Sequence, residues 1–190
     1  VPNAEGASSK VNRGPAAGPE NRRALIAAAR EVYAEDGLGA PFSAVARRAG
    51  VGQGSLYRHF PDRIALAVAV FEDNIAELEA HAAGAEGGVD DLLAQVAGQA
   101  MASGALLELV TGHLGDPRVE VLGERFRGVV AALLTRDQAS GRVAEHVEVA
   151  DVGMAAGMLA LELSRTPIPL REQAAARARR LFTAAFAPRD

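Results

Sequence analysis

The 190-residue sequence has no cysteine, no tryptophan, two tyrosines and a single lysine, Lys10. Without cysteine there is no disulfide, no thiolate metal site and no cysteine nucleophile. Aromatic residues make up 4% of the chain, so its core has to be packed from small and aliphatic side chains. That favours close-packed helices over a β-sandwich, which draws on β-branched and aromatic residues. No segment alternates apolar and polar residues as a half-buried strand does. No apolar run reaches the ~18 residues of a membrane span, and no basic-then-apolar leader pattern opens the sequence. The expectation is a cytoplasmic, all-α chain with no membrane partner. The sequence also lacks a catalytic constellation. His59, His81, His113 and His146 are scattered, with no H-E-x-x-H pairing and no G-x-S-x-G elbow. No catalytic residue, metal or cofactor is expected.

Hydrophobic residues make up 49% of the chain, enough for a real core. The formal net charge is −4 and unevenly spread. Residues 1–65 hold nine basic and six acidic groups, a balance of +3 that leaves −7 for the rest. A basic N-terminal third on an acidic body can bind a polyanion locally.

Residues 1–19 are rich in Pro, Gly, Ala and Ser without apolar period and predict a flexible arm. Leu25, Ala29 and Val32, flanked by Ile26 and Tyr33, predict a helix from about Glu20 to Asp36, stopped by Gly37. Ser43 is the expected N-cap of a second helix, Ala44 to Ala49. A third begins near Gly52–Gly54 and stops at Pro61. A fourth, capped by Asp62, spans about 62–83 and is long enough to bridge two parts of the molecule. The remainder reads as helices over 90–103, 105–113, Asp116 to about Gly141, 147–164 and 170–186. Asp116-Pro117 supplies both an N-cap and a proline at the first helical position.

The informative stretch is RRAGVGQGSLYRHF, Arg47 to Phe60. A dinucleotide fingerprint needs G-x-G-x-x-G after a strand. Here the third glycine falls one place early, after a segment that reads as helix. A P-loop needs a Gly-Lys pair, and the only lysine is Lys10. A helix-turn-helix fits better. It wants a small residue inside the first helix (Ala46), one tolerant of left-handed φ at the turn (Gly50), an apolar plug (Val51) and an apolar anchor in the second helix (Leu56).

From Val45 to Arg63, VARRAGVGQGSLYRHFPDR strongly resembles the DNA-binding signature of the TetR family of bacterial transcriptional regulators. The first helix, ending Tyr33-Ala34-Glu35-Asp36-Gly37, and the long fourth helix are similar too. The resemblance covers roughly Asn21 to Ala80. It departs at Gly52, where the family commonly has a capping Ser or Thr, and at Arg63, where it has lysine.

The resemblance implies an N-terminal three-helix DNA-binding domain (20–65) on a C-terminal helical ligand-binding and dimerisation domain (66–190). It places the third helix in the major groove of operator DNA. Gln53, Ser55 and Arg58 would read bases, and Gly54 would let the backbone approach. Ser43, Arg47, Tyr57, His59 and Arg63 would hold phosphates. A palindromic operator implies a homodimer. In the 147–164 helix, Val149, Val152, Gly153, Ala156, Gly157 and Ala160 form a small-residue stripe. That stripe is the expected interface, completed by Ala178, Leu181, Phe182 and Phe186 of the last helix. The family also implies a small-molecule effector of unknown identity. Gln95, Gln99, Met101, His113, Met154 and Met158 are its candidate contacts. The expected function is a repressor released from DNA by this ligand. The alternatives are an activator of the same family or a helical partner-binding protein without DNA binding.

Overall fold

The computed structural model describes residues 18–84 and 87–188. Those residues form eight α-helices and no strand: α1 (Gly18–Asp36), α2 (Phe42–Arg48), α3 (Gln53–His59), α4 (Arg63–Ala83), α5 (Val89–Thr111), α6 (Pro117–Ala139), α7 (Val149–Arg165) and α8 (Arg171–Phe186). Of the expected arm, residues 1–17 lie outside the described residues. Gly18 and Pro19 instead open α1, where proline's missing N–H is no loss.

Several boundaries follow directly from local chemistry. Asp62 caps α4 by accepting from the Ala65 N–H at 2.6 Å, and Asp116 caps α6 by accepting from Arg118 N at 2.9 Å. The expected Ser43 cap does not form. The N-cap of α2 is Pro41, and Ser43 lies inside the first turn. Phe42 is drawn into the helix because its ring is buried in the head core. The two helices expected over 90–103 and 105–113 are the two halves of α5, which breaks at the buried Ser103 (φ −138°, ψ 29°). By length and average composition alone α5 could cross a membrane. In this fold it is the central helix of the body, packed most extensively on α7.

Two main apolar cores result. The first joins Leu25, Val32 and Tyr33 of α1 to Val45, Leu56, Phe60, Leu66 and Val70, with Leu106 reaching in from α5. The second fills the body between α5, α6, α7 and α8, and takes in Leu78 and Ala82 of α4. A smaller cluster joins Val68 and Ile75 to Val119 and Leu122 of α6. Helix α4 therefore contributes to all three, so a shift of the body walls acts on the same rod that supports the head.

Candidate nucleic-acid interface and body cavity

The bend between α2 and α3 is a Schellman motif. Val51 N–H donates to Ala46 O at 3.0 Å, and Gly50 N–H to Arg47 O at 3.2 Å. The motif places Gly50 at φ +66°, in the left-handed region that glycine enters without penalty. Ala46, Leu56 and Phe60 are buried beneath the bend and fix the angle between the two helices. Leu56 points inward, so its neighbours on α3 face out. Gln53, Gly54 and Arg58 are exposed, and Ser55 and His59 are half-buried. The Tyr57 ring is 51% exposed yet held in place, edge-on to Phe42 with centroids 5.4 Å apart.

The nearby arginines divide into two kinds. Arg48 closes on Glu31 at 3.0 Å and Glu35 at 2.6 Å, tying α2 to α1. The guanidinium holds the Glu35 carboxyl below its usual range, through its hydrogen bond first and its charge second. Arg63 donates to Leu38 O at 2.6 Å and Ala40 O at 2.8 Å, pinning the α1–α2 connection. Arg47 and Arg58, by contrast, are exposed and have no ion pair or hydrogen bond among the described residues. The outer face of α2–α3 thus carries two unneutralised guanidinium groups, a rigid tyrosine, a glutamine and a histidine. Gly54 has open space where a side chain would start, so nothing within the fold requires glycine there.

Comparison with known proteins matches this segment. Residues 25–70 fit the family model described as bacterial regulatory proteins, tetR family. Over this segment the chain resembles the TetR family. It is similar to a TetR transcriptional regulator from Streptomyces coelicolor, at 28% identity over 89% of this chain and 99% of that one, with a TM-score of 0.65. A TetR transcription regulatory protein from Mycobacterium vanbaalenii is 29% identical over 91% and 98% of the two chains, with a TM-score of 0.60. GusR of Salmonella enterica, at 22% identity and a TM-score of 0.60, shares the fold over 94% and 99% of the two chains. No curated protein matches the chain. The chain has the fold of TetR-family transcriptional regulators.

The body of the chain does not bring together the residues expected at the interface or at the ligand site. Most of the small-residue stripe of α7 faces inward, with Gly157 exposed and Gly153 half-buried at its edge. Val152, Ala156 and Ala160 are buried in the chain's own core, and Val149 packs against it. The stripe serves the α5–α7 crossing, where the helices run so close that a methyl on Gly104 would sit 3.3 Å from the Ser164 Cα. What faces outward is the other stripe: Met154 and Met158 are 61% and 57% exposed, with Leu161 beside them and Leu181 of α8 at 64%. Phe182 of α8 is half-buried, stacked on the buried Phe186, and Ala178 is half-buried too.

Gly153, Ala156, Gly157 and Ala160 instead line a cavity of about 300 Å³ between α4, α5, α6 and α7. Of the six expected ligand contacts only Gln99 reaches it. Met154 and Met158 point away from it, and His113 is exposed with Nδ1 against Leu109 O at 2.7 Å. Met101 packs on the body core, and Gln95 is half-buried outside the cavity. Sequence reasoning missed Phe71, Asn74, Phe126 and their apolar neighbours. One signal was available: Asn74 sits three residues after Phe71 and four before Leu78, a polar residue on the inward stripe of α4. A second depression, around Asp90 and Asp137, has its carboxylates engaged internally. Asp137 accepts from Val89 N and Arg142, and Asp90 from Arg179 and Thr183.

Proposed function

We propose that the protein is a homodimeric repressor that grips a palindromic operator with one α3 per copy and releases it when a small molecule fills the body cavity. The carrying observation is the exposed face of α2 and α3, where the Arg47 and Arg58 guanidinium groups have no partner among the described residues. Arg58 is placed to bond guanine through a guanidinium fork, and Gln53 to bond adenine, with Ser55 beside them. Arg47, Tyr57 and His59 flank the row and suit phosphates, as does Ser43 in the first turn of α2, near the helix's positive end. Arg63 contributes chiefly by holding the connection before α2, its remaining N–H groups free for a phosphate. The proposed division into a reading head (20–65) and a body (66–190), with α4 bridging them, follows the two cores.

The dimer face is assigned to the outward stripe of α7 and α8: Met154, Met158 and Leu161 with Leu181 and Phe182. Contiguous exposed apolar area of this kind marks an interaction site. Two copies joined there bring two reading helices to one side of a duplex, with half-sites spaced by a helical turn of ~34 Å.

The test is fluorescence anisotropy on duplexes selected from random sequence, alongside the DNA upstream of the protein's own coding sequence. A palindromic consensus, two chains per duplex and steep weakening with salt are the expected results. Selection that returns no consensus would overturn the reading.

A further inference from the structure

The body cavity has a chemistry of its own. Among the described residues not one charged side chain lines it, and its only polar side chains are Asn74 and Gln99. Both amides have fixed orientations. Arg30 of α1 donates to Asn74 Oδ1 at 3.1 Å, so the Asn74 amide nitrogen is left as a donor. Gln99 Nε2 donates to the Asn74 backbone oxygen at 3.1 Å, so Gln99 Oε1 is left as an acceptor. No hydrogen bond among the described residues uses either remaining group. Arg30, bonded to Asn74, and Arg127, beside Gly123, are not among the lining residues, and each stands within 4.0 Å of a carboxylate, Asp73 and Glu124. An ion entering the cavity would lose its hydration and meet no counter-charge, a penalty that apolar contact does not offset.

Taking the cavity as the effector site, as proposed above, we infer that its ligand is an uncharged, mostly hydrocarbon molecule with a single carbonyl or hydroxyl group. The oxygen of that group accepts from the Asn74 amide. A hydroxyl can in addition donate to Gln99. The apolar remainder lies along Phe71, Ile75, Leu122 and Phe126. Because Asn74 also holds Arg30, the atom that selects the ligand sits one hydrogen bond from the first helix of the reading head.

The test uses the full-length protein and three probes sharing one chain length: 2-decanone, decanoate and decylammonium, titrated calorimetrically at pH 7.5. The ketone is expected to bind at least tenfold more tightly than either ion. Asn74→Leu keeps the volume but removes the amide, and should weaken ketone binding about tenfold. Gly157→Leu, or Gly153→Leu should the first fail to fold by circular dichroism, should abolish it, since both glycines line the cavity with open space at Cβ. If an ion binds as tightly as the ketone and loses binding in the leucine variant, the ligand class is wrong while the effector site stands. If ketone binding survives the leucine variant, the site itself is wrong. Unchanged affinity in Asn74→Leu, or no binding of the ketone at all, also overturns the inference.

Discussion

In the body, Arg118, Arg125, Arg142 and Arg179 each close on a carboxylate, and Arg136 and Arg171 on backbone carbonyls. On the face built by α2 and α3, Arg47 and Arg58 close on nothing among the described residues. The contrast lies in how the groups are placed, not in how many arginines each region has. In the body Arg125 and Arg179 fix helix to helix, while Arg165, Arg177 and Arg180 are exposed and also lack partners among the described residues. On the reading face Arg47 and Arg58 stand together beside Gln53 and Tyr57, and α3, which carries Arg58, is anchored by the buried Leu56 and by Phe60. Anchor and reader can therefore be separated by mutation.

The sharpest break between them uses neighbours on α3. Leu56 is fully buried, so Leu56→Ala should cost about 2–5 kcal/mol of stability and remove DNA binding with it. Tyr57→Ala loses only an exposed ring and its edge contact with Phe42, about 0.5–1.5 kcal/mol. It should leave a folded chain that binds DNA poorly. Thermal unfolding and anisotropy on the same two variants decide it. Equal losses of stability would mean that anchor and reader are not separable.

In the body the comparison is between two stripes of one helix. Met158→Asp with Leu181→Asp should weaken dimerisation by about 2 kcal/mol or more, roughly thirtyfold, and leave the monomer helical. Ala156→Asp, on the buried stripe, should unfold the body instead. Sedimentation and circular dichroism separate these outcomes. A dimer unaffected by the first pair would move the interface elsewhere.

Those stripes also show where the sequence stops being legible. The head could be read because each device in it is local: Gly50 at the bend, Pro61 as a stop, Asp62 as a cap, Leu56 four residues before Phe60. Body helices were found as readily, and even the Ser103 kink falls next to the expected break at Gly104. Their facing was not. An apolar stripe at helical spacing has the same period whether it meets the chain's own core, a second copy or a cavity. Ala156 and Met158 are two residues apart, yet one is buried and the other exposed. Residue size pointed the wrong way, because close helix approach was needed inside the chain, between α5 and α7. The cavity was read only at Gln99, with a further signal at Asn74, and its walls come from four helices that no local pattern connects.

Within the reading face, base and phosphate contacts should part by specificity. Arg58→Ala should cost about 1–3 kcal/mol on the preferred operator and relax preference at one base pair. Arg47→Ala should weaken all sequences alike and lower the salt slope by about 1. Competition binding on point-mutated operators reads both. A loss of base preference in Arg47→Ala would exchange the two assignments. Gly54→Ala sets stability against function: alanine's helix propensity should raise stability by up to about 1 kcal/mol, while the added methyl weakens DNA binding. Stronger DNA binding in that variant would show that the backbone makes no close approach there.

The smallest effect concerns the joint between the regions. Arg118 of α6 bonds Asp116 at 2.7 Å and reaches Asp62, the cap of α4, at 3.2 Å. Its hydrogen bond holds the Asp116 carboxyl down at about 2, from an ordinary 3.8. A carboxyl with a depressed folded-state pKa stabilises the fold above its unfolded value, and that contribution is lost as pH falls through the folded one. The difference in thermal midpoint between the parent and Asp116→Asn, which keeps a capping oxygen but not the charge, should therefore be constant from pH 8 to 5. It should shrink between pH 4 and 2 as the parent carboxylate takes up its proton. A difference that persists undiminished at pH 2 would mean that the charge on Asp116 does not hold Arg118. The latch between body and head would then rest on Asp62 alone.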